Sequence, residues 1–292
     1  MESSGTDKEL RALINLIDEP DEVIYRQIRD RILSYGMAAI PFLEEAWGNN
    51  LEPEAQRRIE ILTHKIHFEH ICTELNNWYT LGGGNLLTAY ILVSKYHYPD
   101  MNDSKIKDEL ERIKKDVWIE LNLGLTSFEK IGVINRIMFE ELKFEGNRTN
   151  FHAPQNHYIN QVLETRIGSA LSLSVIYMLI ANMVGLPVYG VNLPDNFVLA
   201  YMDETVLIHG KSLDEAEVLF YINPFNKGML FTRKEIDIFL TQKKIEPDEK
   251  YYRPCSNIDI IIKLLQSLAY SYEQTGNKIK VSEIEILLGI YK

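Results

Sequence analysis

One stretch of the chain, residues 170–184, carries apolar or small side chains on nearly every face of a helix. A helix of this kind is stable in water only when protein surrounds it, whereas a surface helix keeps one polar face. Gly185 and Pro187 follow the stretch directly and end the helix. Because the run is shorter than the roughly 20 residues that a membrane span needs, it predicts the buried central helix of a folded core.

The pattern of apolar residues changes from helix-like to strand-like immediately after this helix. Short β-branched or aromatic runs occupy residues 188–191, 197–201, 206–209 and 218–222, and turn residues separate them. Such runs are typical of short strands. We therefore expect an antiparallel sheet packed on the buried helix, in a mostly helical α+β fold.

Helical segments lie on both sides of the predicted core, which spans residues 79–252. Residues 1–78 alternate short helices with Asp, Pro and Gly turns, and they resemble a pair of HEAT-like units. Residues 253–292 predict two helices that are joined at Gly276 and resemble a single tetratricopeptide hairpin docked on the core. Asn257 is the expected cap of the first of these two helices.

Composition narrows the possible partners. The 292 residues are 46% hydrophobic and 25% charged, which is typical of a folded soluble protein. A net charge of −11 argues against nucleic acid, whose binding needs a basic face. The polar, acidic N-terminus predicts no signal peptide, so we expect a cytoplasmic protein without membrane contact. Cys72 and Cys255 show no metal-ligand spacing, and a disulfide is not expected in a reducing compartment.

Four segments in a fixed order carry a family resemblance. They are residues 151–164, which begin Phe-His-Ala-Pro-Gln-Asn-His, residues 168–177, residues 185–194, which begin Gly-Leu-Pro, and residues 223–226, which read Asn-Pro-Phe-Asn. Together they resemble the Sir-B-type family of bacterial regulators, whose core is transglutaminase-like. The resemblance thus implies a papain- or transglutaminase-like core, in which a buried central helix packs against a small antiparallel sheet. The resemblance covers about residues 80–290, and it implies regulation or scaffolding rather than a defined reaction.

The resemblance also implies where a catalytic triad would stand. In transglutaminase-like cores a Cys opens the central helix as nucleophile, a His on a following strand is the base, and an Asp on the next strand orients that His. These positions fall on Ala170, Asn196 and Asn223. Because none of the three can perform its role, the resemblance implies a degenerate enzyme fold.

Other residues could in principle replace the lost triad. Ser172 and Ser174 lie near the start of the central helix, and His157 or His209 could act as the base. Helix-capping or buried serines and ordinary loop histidines, His152 included, are the more common case. The scattered histidines do not form a metal site, and we expect no cofactor.

Several asparagines and aromatic residues fall near the expected cleft. We expect turn roles for Asn192 and Asn226, and we expect Asn196 and Asn223 to face each other in the cleft. Ser172, Ser174, His157, Tyr189 and Phe225 are the candidate cleft-lining residues. Tyr189, Tyr201 and Phe225 are more typical of core or rim aromatics than of a ligand cage.

Three functional hypotheses follow from these patterns. The first is a non-catalytic regulatory or protein-interaction module that binds a protein or peptide partner. The second is a hydrolase or acyltransferase with a rearranged Ser/His site in the same cleft. The third is a small-ligand binder, for which the sequence shows no phosphate, nucleotide or metal motif.

Overall fold

The computed structural model describes residues 3–49, 52–204 and 216–291, and the chain divides into two compact units. The first unit is Met1–Asn77 and the second is Trp78–Lys292. The helices that begin in the first unit are α1 (Ser3–Ile14), α2 (Glu22–Leu33), α3 (Ile40–Asn49) and α4 (Pro53–Thr80).

The first unit has its own apolar core. Leu10, Ile28, Leu43 and Leu62 are buried in it, one from each helix. Local sequence explains two of the helix starts: Asp21 caps α2 through the backbone N–H groups of its first turn, and Pro53 is the first residue of α4. The HEAT-like assignment of this unit stays a prediction.

The second unit contains the remaining helices and all the strands of the described ranges. Its helices are α5 (Leu86–Lys95), α6 (Asp103–Glu120), α7 (Ser127–Asn135), α8 (Ile159–Thr165), α9 (Ala170–Met183), α10 (Arg233–Lys243), α11 (Asn257–Gln274) and α12 (Lys278–Gly289). Its strands are β1 (Glu145–Gly146), β2 (Ile167–Gly168), β3 (Val188–Leu193), β4 (Asn196–Met202), β5 (Val218–Asn223) and β6 (Met229–Phe231). Across the described ranges, no helix has both the length and the apolar character to cross a membrane.

Helix α9 is the centre of the second unit. Every residue from Leu171 to Met178 is buried, which confirms the prediction of a helix surrounded by protein. Ser169 caps the helix, and the chain leaves it through Gly185, whose φ of +80° few other residues adopt. Apolar burial on all faces therefore fixes α9 as the scaffold on which the other elements are placed.

The strands after α9 form a four-stranded antiparallel sheet in the order β3-β4-β5-β6, which confirms the predicted α+β fold. On one face, Val191 and Val198 pack with Ile236 and Leu240 of α10. Because strand side chains alternate between faces, α9, which packs against β3 and β4, covers the other face. The predicted strand at 206–209 lies outside the described residues.

A partly buried contact joins the sheet to the helices that precede α9. Asn135 donates a hydrogen bond from Nδ2 to the Gly228 carbonyl, and its Oδ1 accepts one from the Tyr177 hydroxyl. Gly228 has a φ of +71°, and a Cβ on it would lie 1.9 Å from Asn135 Oδ1. The Asn135 side chain thus occupies the space that only a glycine leaves free.

Helices α11 and α12 pack against each other, and α11 also contacts α5 and the helical turn Pro154–His157. The predicted cap of α11 was wrong by one residue. Ser256 is the cap, because its hydroxyl accepts the Asp259 N–H, whereas Asn257 donates from Nδ2 to the carbonyls of Gly83 and Gly84. The tetratricopeptide-like assignment of this hairpin stays a prediction.

Candidate functional site

A cleft of about 560 Å³ opens at the N-terminus of α9. Four parts of the second unit surround it: the first turn of α9, the turn between β3 and β4, the loop before α8 and one face of α11. The residues that line it are Phe151, His152, His157, Ser169, Ala170, Leu171, Asp195, Asn196, Phe197, Lys263, Gln266, Ser267, Tyr270 and Ser271.

The floor of the cleft is the capped N-terminus of α9, where two backbone N–H groups have no acceptor within the described chain. The Ser169 hydroxyl accepts the Ser172 N–H at 3.1 Å, and Ser172 Oγ accepts the Ser169 N–H at 2.8 Å. Within the described chain, the N–H groups of Ala170 and Leu171 meet no acceptor. Free N–H groups at a helix start carry the positive end of the helix dipole, so this floor favours a negative or acceptor group.

The loop before α8 is held against the start of α9 by Asn156. Its carbonyl accepts hydrogen bonds from Ser172 Oγ at 2.7 Å and from the Ser169 N–H at 3.1 Å. Its side chain donates to the carbonyls of Asn150 and Phe151. These bonds order the loop, and they fix the next residue, His157, in the wall of the cleft.

His157 and Ser271 meet in that wall. His157 Nε2 lies 3.2 Å from Ser271 Oγ, and both side chains are buried, with exposures of 6% and 2%. Burial lowers the pKa of His157 to about 4, so the ring is neutral at neutral pH. Its Nδ1 is buried and meets no hydrogen-bonding group of the described chain.

Charged and aromatic side chains complete the cleft. Lys263 is half-buried and forms no ion pair with the described residues, and desolvation lowers its pKa while Asp195 opposes that change. Asp195 itself lies 3.2 Å from Lys243 Nζ. Tyr270 contacts the ring of His152 edge-on. In the described ranges no three His, Cys, Asp or Glu side chains gather as a metal site.

The structure separates two of the residues that the sequence placed together. Ala170 and Asn196 both line the cleft, and Asn196 Oδ1 accepts the N–H of Phe197 at 2.8 Å. Asn223 does not line it, because its Oδ1 accepts the Asn226 N–H and caps the helical turn that follows β5. The expectation that Asn196 and Asn223 face each other there was wrong. The register of β4 and β5 pairs Leu199 with Ile222, so Asn223 stands opposite a β4 position two residues beyond Asn196.

The two serines near the start of α9 are structural. Ser172 and Ser174 are fully buried, and Ser174 Oγ donates to the Phe197 carbonyl at 3.4 Å. The prediction that they line the cleft was wrong, because their positions on α9 face its packed neighbours. No histidine ring of the described chain is within hydrogen-bonding distance of either serine, and His209 lies outside the described residues.

The remaining candidates lie elsewhere. Tyr189 packs with the core between the sheet and α10, and Phe225 lies in a separate, smaller groove beside Gly146, so neither lines the cleft. Asn192 belongs to β3 rather than to a turn. Asn226 ends the turn that Asn223 caps, as expected.

Sequence reasoning missed the α11 side of the cleft. Lys263, Ser267 and Ser271 recur every four residues, and they form one polar row on a helix whose other faces carry Ile and Leu. Such a row is visible in the sequence. What it faces is not, because the α9 end of the cleft is about 100 residues away in the chain.

Comparison with known proteins assigns the core to a family. The model of the transglutaminase-like superfamily matches residues 104–266, which is more than half of the chain and includes α6 to most of α11. The chain belongs to the transglutaminase-like superfamily. The match confirms the resemblance that the four sequence segments carry.

Curated relatives are a quarter to a third identical to the chain over the aligned segments. A UPF0162 protein of Xylella fastidiosa strain 9a5c is 26% identical over 65% of this chain and 66% of its own length. Protein SirB1 of Salmonella typhimurium is 28% identical over 64% and 66%. F-box only protein 21 of Homo sapiens is 34% identical over 38% of this chain and 17% of its own length. The chain spans between half and two thirds of the two UPF0162 proteins of X. fastidiosa, and no solved structure matches it.

Proposed function

We propose that the protein is a non-catalytic regulatory or protein-interaction module, in which the cleft of a transglutaminase-like fold binds a partner and does not transform it. One observation carries this proposal: the first residue of α9, at the floor of the cleft, is Ala170. A helix N-terminus activates a thiol or hydroxyl only when one is present.

The two other triad positions support the same conclusion. The carboxamide of Asn196 cannot accept a proton near neutral pH, and its oxygen is already bonded to the Phe197 N–H. Asn223 caps a turn outside the cleft. A nucleophile, a base and an orienting carboxylate are therefore all missing from the positions that the family resemblance implies for a triad.

The occurrence of related sequence inside longer proteins supports a modular role. The matched segment makes up 17% of F-box only protein 21, so a segment related to 38% of this chain is one part of a much larger chain there. A domain that is joined to different neighbours and lacks its nucleophile is well suited to binding.

The test combines reactivity with binding. The full chain is incubated with a fluorophosphonate probe and with iodoacetamide, and adducts are mapped by mass spectrometry. We expect no adduct in the cleft. We also expect a protein that co-purifies with the tagged chain to re-form the complex from purified components, with a lower affinity for Tyr270→Ala, which truncates an exposed side chain of the cleft.

A specific contact favours a second candidate, a hydrolase or acyltransferase that uses Ser271 as nucleophile and His157 as base. Their 3.2 Å contact is within the range of a catalytic pair. The pair has no carboxylate, because His157 Nδ1 meets no partner in the described chain, and Ser271 is only 2% exposed. A fluorophosphonate adduct on Ser271 that disappears in Ser271→Ala would establish this candidate and refute the non-catalytic one.

A further inference from the structure

Four aromatic side chains form a row along the rim of the cleft, which we call the aromatic ridge. In order they are Phe225, Phe151, His152 and Tyr270, and neighbouring rings meet edge to face, with centroids 6.2, 5.3 and 5.4 Å apart. Phe151 and Tyr270 are 53% and 50% exposed, and His152 is exposed as well. A contiguous row of exposed rings is typical of a binding surface.

The surrounding structure holds the ridge in place. The ring of Phe225 packs so closely on Gly146 that a Cβ on this glycine would clash with it. The Phe151 carbonyl accepts a hydrogen bond from the Asn156 side chain at 3.1 Å, and Tyr270 belongs to α11, an 18-residue helix. Because the ridge is already ordered in the free protein, binding to it does not have to order it.

The shape of the ridge selects among ligands. Neighbouring ring planes cross at 71° to 89°, so the ridge presents a series of notches rather than the flat platform on which a base stacks. A notch of this kind admits the narrow pyrrolidine ring of proline. Each step of 5.3 to 6.2 Å equals about two residues of a polyproline II chain, which rises about 3.1 Å per residue. The ridge therefore fits about six residues of such a chain.

Hydrogen-bond donors accompany the rings. Gln266 and Tyr270 are four residues apart on one face of α11, and both line the cleft. The Gln266 carboxamide and the Tyr270 hydroxyl form no hydrogen bond with the described residues. A polyproline II chain has no internal hydrogen bonds, so its carbonyls are free to accept from such donors. Since the chain is extended before it binds, it loses little entropy when it docks on an open aromatic surface.

The end of the ridge at Phe225 carries positive charge. The guanidinium of Arg148 lies 5.5 Å from the centre of the Phe225 ring and donates a hydrogen bond to Asn226 Oδ1 at 3.1 Å. Arg148 and Lys227 line the groove beside this ring and form no ion pair with the described residues, and Glu145 lines it as an acidic residue. On a protein with a net charge of −11, this local excess of positive charge favours an acidic group on the partner.

We propose that the aromatic ridge binds a proline-rich segment of a partner protein, with an acidic residue at the Arg148 end. This inference rests on the proposed binding function of the same cleft, and it names the class of partner. The notches between the rings receive proline side chains, and Gln266 and Tyr270 donate to peptide carbonyls. Arg148 pairs with the acidic side chain.

Isothermal titration of the full chain with three peptides tests the proposal. Acetyl-Glu-Pro-Pro-Pro-Pro-Pro-Pro-Glu-amide covers the ridge, and an acid at each end places one near Arg148 in either chain direction. The alanine control has Ala in place of each Pro, and the lysine control has Lys in place of each Glu. We expect the glutamate–proline peptide to bind at least about 10-fold more tightly than the alanine control and at least about 3-fold more tightly than the lysine control.

Tyr270→Ala and Phe151→Ala truncate exposed rings of the ridge. We expect each variant to bind the glutamate–proline peptide more than about 5-fold more weakly, with an unchanged far-ultraviolet circular dichroism spectrum. Trp118→Ala removes an aromatic ring that is 65% exposed elsewhere in the second unit. This matched control should bind like the wild type.

Arg148→Gln tests the charged end of the ridge. We expect about a 3-fold loss of affinity for the glutamate–proline peptide and no loss for the lysine control, because only the first peptide pairs with the guanidinium. Lys234→Gln changes the net charge equally on an exposed residue of α10 and should have no effect.

Several results would overturn the proposal. They are equal binding of the proline and alanine peptides, no binding of either, binding of the lysine control as tight as that of the glutamate–proline peptide, and wild-type binding by both Tyr270→Ala and Phe151→Ala. Self-association of the wild type that Tyr270→Ala abolishes in sedimentation velocity would assign the ridge to a second copy of the chain and overturn the proposal as well. A covalent adduct in the cleft refutes the proposed function instead, whereas a partner complex that forms without any peptide binding refutes this inference alone. The two failures are therefore distinguishable.

Discussion

The buried imidazole of His157 makes the stability of the second unit depend on pH. Burial lowers the pKa of His157 to about 4, whereas the unfolded chain titrates near 6.5. As the pH falls below 6.5, the unfolded chain takes up a proton at this position that the folded protein does not bind until about pH 4. Folding stability is therefore lost between these two values, and it is fully present above pH 6.5.

The magnitude follows from the two pKa values. The gap between 6.5 and about 4 corresponds to about 3 kcal/mol of unfolding free energy at pH 4 relative to pH 7. Replacement of His157 by Gln removes the titrating group. The variant can be less stable at pH 7 because it changes the contact with Ser271, so the diagnostic quantity is the difference in pH dependence between the two proteins.

Urea unfolding at several pH values between 4 and 7 measures this difference. Of the three tryptophans, Trp47 belongs to the first unit, while Trp78 and Trp118 belong to the second. In a Trp47→Phe background, tryptophan fluorescence therefore reports the unit that contains His157. We expect the parent to lose about 3 kcal/mol more than His157→Gln on going from pH 7 to pH 4.

Parallel loss in the two proteins would refute the reasoning. His97 also has a lowered pKa, since it too is desolvated, and it destabilises the folded state at low pH in the same direction. That contribution is present in both proteins and cancels in the comparison. Equal slopes would mean that His157 is protonated in the folded state and that the cleft wall is hydrated.

Three further predictions concern the elements that hold the cleft in place, and urea unfolding in the same background checks each. Ser172→Ala removes the bonds to the Ser169 N–H and to the loop before α8, and it should lower the unfolding free energy by about 2 kcal/mol without creating or abolishing catalysis. Gly228→Ala adds a side-chain clash to a positive φ and should cost at least about 2 kcal/mol more than Gly276→Ala, where φ is also positive but no atom lies within 4 Å; equal costs would contradict the clash. The pKa of Glu109 is lowered to about 2, and the largest cause is its hydrogen bond with Arg112. Glu109→Gln should therefore lower the unfolding free energy by about 1 kcal/mol at pH 7, and this difference should disappear as the pH falls towards 2.

The positions of the central helix and of the strands that follow it can be predicted from the sequence. The apolar run that becomes α9, the Gly185 and Pro187 that end it, and the β-branched or aromatic runs that become β3 and β4 are local patterns, which are visible without a structure. The four segments of the family resemblance lie in the same part of the chain, and the superfamily model matches there. The absence of a cysteine at Ala170 is likewise a fact of sequence.

The partners across the cleft were decided by tertiary structure. Helical periodicity shows that Ser172 lies on α9, but only the packing of the loop before α8 shows that its hydroxyl is used up by the Asn156 carbonyl. The sequence pattern of each strand does not determine the register between β4 and β5. In the observed register, Asn223 does not lie opposite Asn196. Lys263 and Ser271 face the start of α9 because α11 folds back onto it, a contact between residues about 100 positions apart. Sequence periodicity determines which face of an element is buried, whereas long-range packing determines what each polar side chain meets.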